Sequence, residues 1–135
     1  DIKITIGAAY IGARNGKMEI KGRNLLTGLP NVVEITTDQV AEALSSPVGK
    51  IIDCVKRVLE ECPPELAADI MDKGIIFTGG GAMLYGLDEL LHRETKITVG
   101  LADDALSCVA LGTGKALDNI DKLDDKKSIS FWRKN

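Results

Sequence analysis

Ile75-Ile76-Phe77-Thr78-Gly79-Gly80-Gly81-Ala82-Met83-Leu84 is the stretch whose reading decides the fold. Its three leading apolar residues are too few for a helix and do not alternate, so they read as a buried strand of a mostly parallel sheet. Glycines follow at once. Leu84, Leu87, Leu90 and Leu91 then recur at helical spacing and define an amphipathic helix. In open α/β sheets, ligands sit beyond the carboxyl ends of such strands. Glycine admits positive φ and exposes bare backbone, so a flat ring or a phosphate could lie directly on the chain, beside the free N–H groups of the following helix. A tight turn with no ligand is the competing reading. Two phosphate motifs are excluded. No Lys with Ser or Thr follows at P-loop spacing, and Leu84 stands where a dinucleotide fingerprint needs its last Gly.

Upstream, Met18 and Ile20 alternate with Glu19, Lys21 and Arg23, which predicts a half-buried strand over Lys17–Leu25. Thr27-Gly28-Leu29-Pro30 is a connecting turn, and Asn31–Thr36 carries Val32, Val33 and Ile35 as a second strand. A short loop between two strands suggests an antiparallel hairpin. Thr36 with Gln39 forms a capping-box pattern and starts a helix. Ser45-Ser46-Pro47 is expected to interrupt it and to cap a second helix with Val48, Ile51, Ile52, Val55, Val58 and Leu59 on one stripe. Pro63-Pro64 ends that helix. A short helix over Glu65–Asp72 follows, with Leu66, Ile70 and Met71 inward and Gly74 as its cap. Downstream, Ile97-Thr98-Val99 reads as a second short strand, and a final helix runs through Val109, Leu111, Leu117 and Ile120. Asp1–Ala9 carries no pattern strong enough to assign.

A chain of 135 residues with 44% hydrophobic content can bury about two thirds of its unfolded surface. A formal net charge of -3 argues against a dedicated nucleic-acid binder, which would show a basic excess. No apolar run approaches the ~18 residues of a membrane span. Cys54, Cys62 and Cys108 show no CxxC spacing, which argues against a disulfide framework or zinc site; they read as small packed hydrophobes in a reducing compartment. That His92 is the only histidine argues against a His-based triad or metal site, and the ring is expected at its helix's end. Asp103-Asp104 reads as a solvated helix start rather than a metal site. Phe131-Trp132-Arg133-Lys134 pairs aromatics with cations as membrane-interface segments do, but is too short to carry that reading; the tail from Asp124 is expected to be mobile. The opening Asp1, in place of Met, suggests a fragment.

The run Thr78-Gly79-Gly80-Gly81-Ala82-Met83-Leu84-Tyr85-Gly86-Leu87-Asp88 resembles the adenosine-binding segment of the bacterial actin homologues of the MreB/Mbl family. Pro63-Pro64-Glu65-Leu66-Ala67-Ala68-Asp69-Ile70, Gly22-Arg23-Asn24-Leu25 with Thr27-Gly28-Leu29-Pro30, Ile2-Lys3 with Ile6-Gly7, and Glu94-Thr95 are similar to further blocks of that family, from Asp1 to about Leu123. Ala105 stands where the family often has proline, and Lys96 where glycine is usual; neither is expected to touch the nucleotide assignment.

The resemblance implies the second half of an actin-like ATPase fold, α/β overall and α+β in detail. It implies a small outer subdomain over 1–45, a larger α/β subdomain with the glycine loop over 46–105, a C-terminal helix over 106–123 returning to a missing first half, and a tail over 124–135. It implies an ATP-binding cytoskeletal protein (with Mg²⁺ in the full-length form). Such a protein self-assembles into filaments at the inner face of the cell membrane, meets cell-wall elongation and membrane-anchoring proteins, and organises rod shape. Ile2, Lys3, Gly79, Gly80, Gly81, Ala82 and Met83 carry over as the adenosine-facing residues, and no catalytic or metal residue carries over. The family's phosphate loops and catalytic carboxylate are not in this stretch, so weak or no hydrolysis is expected from it alone. A nucleotide-free interaction module is the alternative. A small glycine-loop phosphate enzyme ranks last, because Thr78 is the only adjacent hydroxyl and nothing is placed to activate it.

Overall fold

The computed structural model describes residues 1–120. The tail from Asp124, the Phe131–Lys134 segment and the end of the 106–123 helix lie outside the described residues. The chain begins with a short helix, α1 (Ile2–Ile6), where the sequence has no periodicity to announce it. Strands β1 (Lys17–Arg23) and β2 (Pro30–Thr36) form the expected antiparallel hairpin, with Met18 opposite Ile35 and Ile20 opposite Val33. Its turn is closed by Asn24, whose side-chain oxygen accepts from the Leu26 and Thr27 N–H groups at 2.8 and 3.2 Å.

Helix α2 (Thr37–Glu60) starts at the capping box: Thr36 Oγ1 accepts from Gln39 N, and Gln39 Oε1 accepts from Thr36 N. The expected break at Ser45–Pro47 is absent, and the helix runs through Pro47 without interruption. Proline inside a helix removes one backbone bond and costs about 3 kcal/mol. Packing on both sides of the proline outweighs that cost: Ala41 and Val48 are buried before and after it, and Ile52 a turn further on. Val55 and Leu59 are half-buried, whereas Val58 of the predicted stripe faces outward.

Helix α3 (Pro64–Lys73) starts at Pro64 and ends at Gly74, but it buries no residue. Leu66 and Met71, expected inward, are exposed. Strands β3 (Ile75–Phe77) and β4 (Val99–Leu101) pair in parallel, Ile75 with Val99 and Phe77 with Leu101. The second strand thus starts two residues later than its apolar residues suggest, because Ile97 is buried ahead of the ladder. Ile75 and Phe77 are half-buried and Ile76 is exposed, so the short sheet is covered on one face only. The glycines wind into a 3-10 turn, Gly80–Met83, and helix α4 (Leu87–Thr95) begins only after Gly86. Leu87 and Leu91 of α4 meet Val48 and Ile52 of α2 and Ala9 in one buried cluster. Helix α5 (Cys108–Leu117) buries nothing and leaves Val109, Leu111 and Leu117 exposed. Among the cysteines, Cys54 is exposed rather than packed, being on the outer side of α2, while Cys62 and Cys108 are half-buried.

Helix α4 ends at Lys96, which holds φ 62° and ψ 11°, the left-handed conformation, while its N–H donates to the His92 carbonyl at 2.8 Å. A side chain is disfavoured there by about 1–2 kcal/mol relative to glycine. Lys96→Gly is therefore expected to raise stability by about 1 kcal/mol, seen as a higher urea midpoint at unchanged slope. A lower midpoint would contradict the strain.

Candidate functional site

The loop after β3 is aimed by two constraints. Gly79 sits at φ 83° and its N–H donates to the Ala105 carbonyl at 2.6 Å. The positive φ reverses the chain at the strand's end, and the bond ties the loop to the segment that follows β4. Ala105 is buried and is bonded to the loop through its backbone. Its contribution is a backbone carbonyl, which proline would also present.

Beyond Gly79 the 3-10 turn lies against a groove of about 390 Å³, within the ~300–1,000 Å³ of small-molecule clefts. One wall is Gly80, Gly81 and Met83; the opposite wall is Lys3 and Ile4 of α1; Pro47, Val48 and Ile51 of α2 and Leu106 complete it. Two segments singled out separately in the sequence, Lys3 and the glycine turn, thus share one cavity. An ideal Cβ on Gly81 would meet nothing within 4 Å, and one on Gly80 would come within 3.3 Å of Leu106 Cδ2. Bare backbone at Gly81 therefore borders open groove. Neither Gly80 nor Gly81 has a positive φ; that burden falls on Gly79.

The other flagged residues sit differently. Ile2 is half-buried on α1 outside the groove walls, and Ile4 takes the lining position. Ala82 is half-buried on the far side of the turn, where its N–H donates to Gly79 O at 3.2 Å. Ile4, Pro47 and Leu106 are groove residues that the sequence did not flag. Pro47 was legible only as a helix signal, and Leu106 comes to the loop through the Gly79–Ala105 bond beside it.

The walls suit a flat, largely apolar group. Lys3 is exposed, so its ammonium can reach polar atoms at the rim while its stem lines the groove. Met83 supplies an adaptable apolar surface. No group of three or more His, Cys, Asp or Glu side chains that could hold a metal occurs among the described residues. A second depression of about 500 Å³ lies across α2, lined by Ala41, Ser45, Gly49 and the Lys56–Glu94 ion pair. Its one glycine, Gly49, lies within helix α2, and its one lysine is already paired. His92 Nδ1 lies 2.7 Å from the Ile97 carbonyl, which accounts for the single histidine as an end-of-helix contact. Asp104 Oδ1 accepts from the Ser107 N–H, which accounts for that acidic pair as a turn.

Just outside the groove, the two walls are joined. Ala8 and Tyr85 form a parallel bridge, and Ala9 N–H donates to Tyr85 O at 2.9 Å. The Tyr10 hydroxyl donates to Glu89 Oε2 at 2.6 Å, and the Arg93 guanidinium lies 4.0 Å from the Tyr10 ring centre. Arg14 lies over the Tyr85 ring at 5.0 Å and donates through Nη2 to the Thr5 carbonyl; its Nε is buried without a hydrogen-bond partner, and the ring face stabilises the cation. Gly86, at φ 75°, lets the Tyr10 ring approach: a Cβ there would lie 3.0 Å from Tyr10 Cε1.

Fold and cleft together define the class, an actin-like ATPase fold with a small antiparallel sheet and a larger α/β part. The structure superimposes on MreB5 of Spiroplasma citri, solved bound to ADP, with a TM-score of 0.82 and 35% identity, covering 90% of this chain and 37% of that one. The AMPPNP-bound form of that protein gives the same TM-score of 0.82 at 34% identity. The family model described as MreB/Mbl protein matches residues 1–125, and the chain belongs to that family. It is 47% identical over 127 residues to the cell shape-determining protein Mbl of Bacillus subtilis, covering 94% of this chain and 38% of that protein. It is 48% identical over 120 residues to the cell shape-determining protein MreB of Escherichia coli, covering 89% and 35%. The chain thus spans little more than a third of the curated relatives it matches. No helix among the described residues is long and apolar enough to cross a membrane.

The Glu89 hydrogen bond holds the Tyr10 phenol above its ordinary value of 10.0, with desolvation adding to the rise and the Arg93 charge opposing it. A raised folded-state value means that this contribution to stability is complete below pH 10 and is lost as pH rises through the folded value. Glu89→Ala is expected to bring the Tyr10 titration back toward 10.0. Ultraviolet phenolate titration reads this, with Tyr10→Phe identifying the signal. An unshifted curve in Glu89→Ala would contradict the bond.

Proposed function

We propose that this chain forms the adenosine side of the nucleotide site in an actin-like, ATP-binding cytoskeletal protein. The single observation that carries the reading is the convergence of Lys3 and the Gly80-Gly81-Met83 turn on one apolar groove. In this reading the base lies on the Gly81 backbone and Met83, and Lys3 meets polar atoms of the nucleoside. Ile2 supports α1 behind Lys3, and Gly79 and Ala82 hold the turn. The ADP- and AMPPNP-bound state of the Spiroplasma citri relatives supports ATP as the ligand, with Mg²⁺ carried by its phosphates. The residues here fit an adenosine and supply no phosphate cradle, so the 135-residue chain by itself is expected not to turn over ATP.

The chain is read as the C-terminal portion of its protein: a small outer subdomain over 1–45, a larger one over 46–105, and a returning helix over 106–123. The exposed Val109, Leu111 and Leu117 of α5 support a helix that packs on a first half. The names of the curated relatives support a role in cell shape. By family, the protein would polymerise with itself at the inner face of the cell membrane, with cell-wall elongation and membrane-anchoring proteins as partners.

Gly81→Val tests the site, measured by ADP titration of the full-length gene product. It places a branched side chain in open groove without a positive-φ penalty, so affinity is expected to fall at least about tenfold, or roughly 1.4 kcal/mol, with little loss of stability. Gly79→Ala is expected to do the reverse, costing about 1–2 kcal/mol of stability with a smaller effect on ADP. Unchanged ADP affinity in folded Gly81→Val would remove the turn from the site.

A further inference from the structure

The two walls of the groove come from segments far apart in the chain, and nothing covalent near the groove sets their separation. The joining contacts lie just outside it on both sides. Ala8 is two residues past the end of α1 at Ile6, and Tyr85 is two residues past the end of the 3-10 turn at Met83. The Ala8–Tyr85 bridge and the Ala9 N–H bond to Tyr85 O at 2.9 Å fix the backbones. Tyr10 to Glu89, 2.6 Å across 79 residues of sequence, fixes the side chains. Arg93 at 4.0 Å from the Tyr10 ring closes the far face. Gly86 leaves the space that the ring occupies.

We propose that this clasp, centred on Tyr10 and Glu89, is a positioning device that holds the Lys3 wall at the distance from the glycine turn that an adenosine requires. The inference rests on the reading of the groove as the adenosine site. A ligand held between two walls loses affinity when binding must also order one of them. With the clasp closed, α1 is already in place; with it open, α1 must be immobilised by the nucleotide itself. Tyr10 and Glu89 do not line the groove, so they act through α1 rather than by contact. Their hydrogen bond is solvent-exposed, so cutting it leaves no buried group unsatisfied. A merely structural bond would therefore change melting temperature slightly and leave ADP affinity alone.

ADP titration of the full-length gene product decides between these, using Tyr10→Phe, Glu89→Ala, Glu89→Gln and, as a control on the site, Gly81→Val. Tyr10→Phe keeps the ring against Gly86 and Arg93 and removes only the donor. It and Glu89→Ala are expected to weaken ADP by about 3–10-fold through lost preorganisation. Glu89→Gln keeps an acceptor and is expected to stay within about twofold of wild type. Hydrogen exchange of the Ala9 amide gives a second readout: without ADP it is faster in Tyr10→Phe than in the wild type, and ADP slows it more in Tyr10→Phe, where the nucleotide must order α1 itself. If Gly81→Val weakens ADP while Tyr10→Phe and Glu89→Ala bind as wild type, the clasp is overturned and the site stands. Equal losses in Glu89→Gln and Glu89→Ala would overturn the hydrogen bond as the positioning contact. If Gly81→Val binds ADP as wild type does, the site reading falls and the clasp with it.

Discussion

The seam between α2 and α4 is the constraint on which the rest depends. Leu91 is fully buried, Leu87 nearly so, and both meet Val48 and Ile52 with Ala9 between them. Burying side chains of this size contributes about 1.5–3 kcal/mol each. Through α2 the seam carries the hairpin, since the capping box at Thr36 joins β2 to the helix without a linker. Through α4 it carries the glycine turn, which ends at Met83, four residues before Leu87. Ala9, drawn into the same cluster, brings α1 with it. The groove exists because three segments are anchored to one strip of core.

That origin explains why the groove is open and apolar. Its floor is the continuation of the packed face of α2, through Val48 and Ile51 beside Pro47. Its walls are backbone on one side and a short helix on the other. Rigidity must come from outside, because a five-residue helix is far too short to be stable alone. The Ala8–Tyr85 and Tyr10–Glu89 contacts meet that need. The exposed apolar residues of α5 and α3 belong to a different requirement, surfaces with no cover among the described residues.

Local rules read well wherever the cause was local. The Thr36–Gln39 cap, the hairpin, the parallel strand into glycines and the α4 stripe were all legible, because each depends on spacing within a few residues. Pro47 misled because propensity says stop while buried Ala41 and Val48 on either side hold the helix together. The α3 apolar residues misled because periodicity marks a face and not what covers it. The start of α1 was illegible: five residues give no period. At the site, Lys3 and the glycine turn were found through family resemblance, and chemistry alone left turn and ligand readings open. Leu106 and the Tyr10–Glu89 pair left no signal, since their roles arise only when distant segments meet.

The most direct measurement is chemical-shift mapping of ADP on the isotopically labelled full-length gene product. The account predicts the largest changes at the Gly81 amide, the Met83 methyl and Lys3, with Ala41, Ser45 and Gly49 across α2 unmoved. Shifts concentrated at Ala41, Ser45 and Gly49, with Gly81 and Met83 silent, would contradict it.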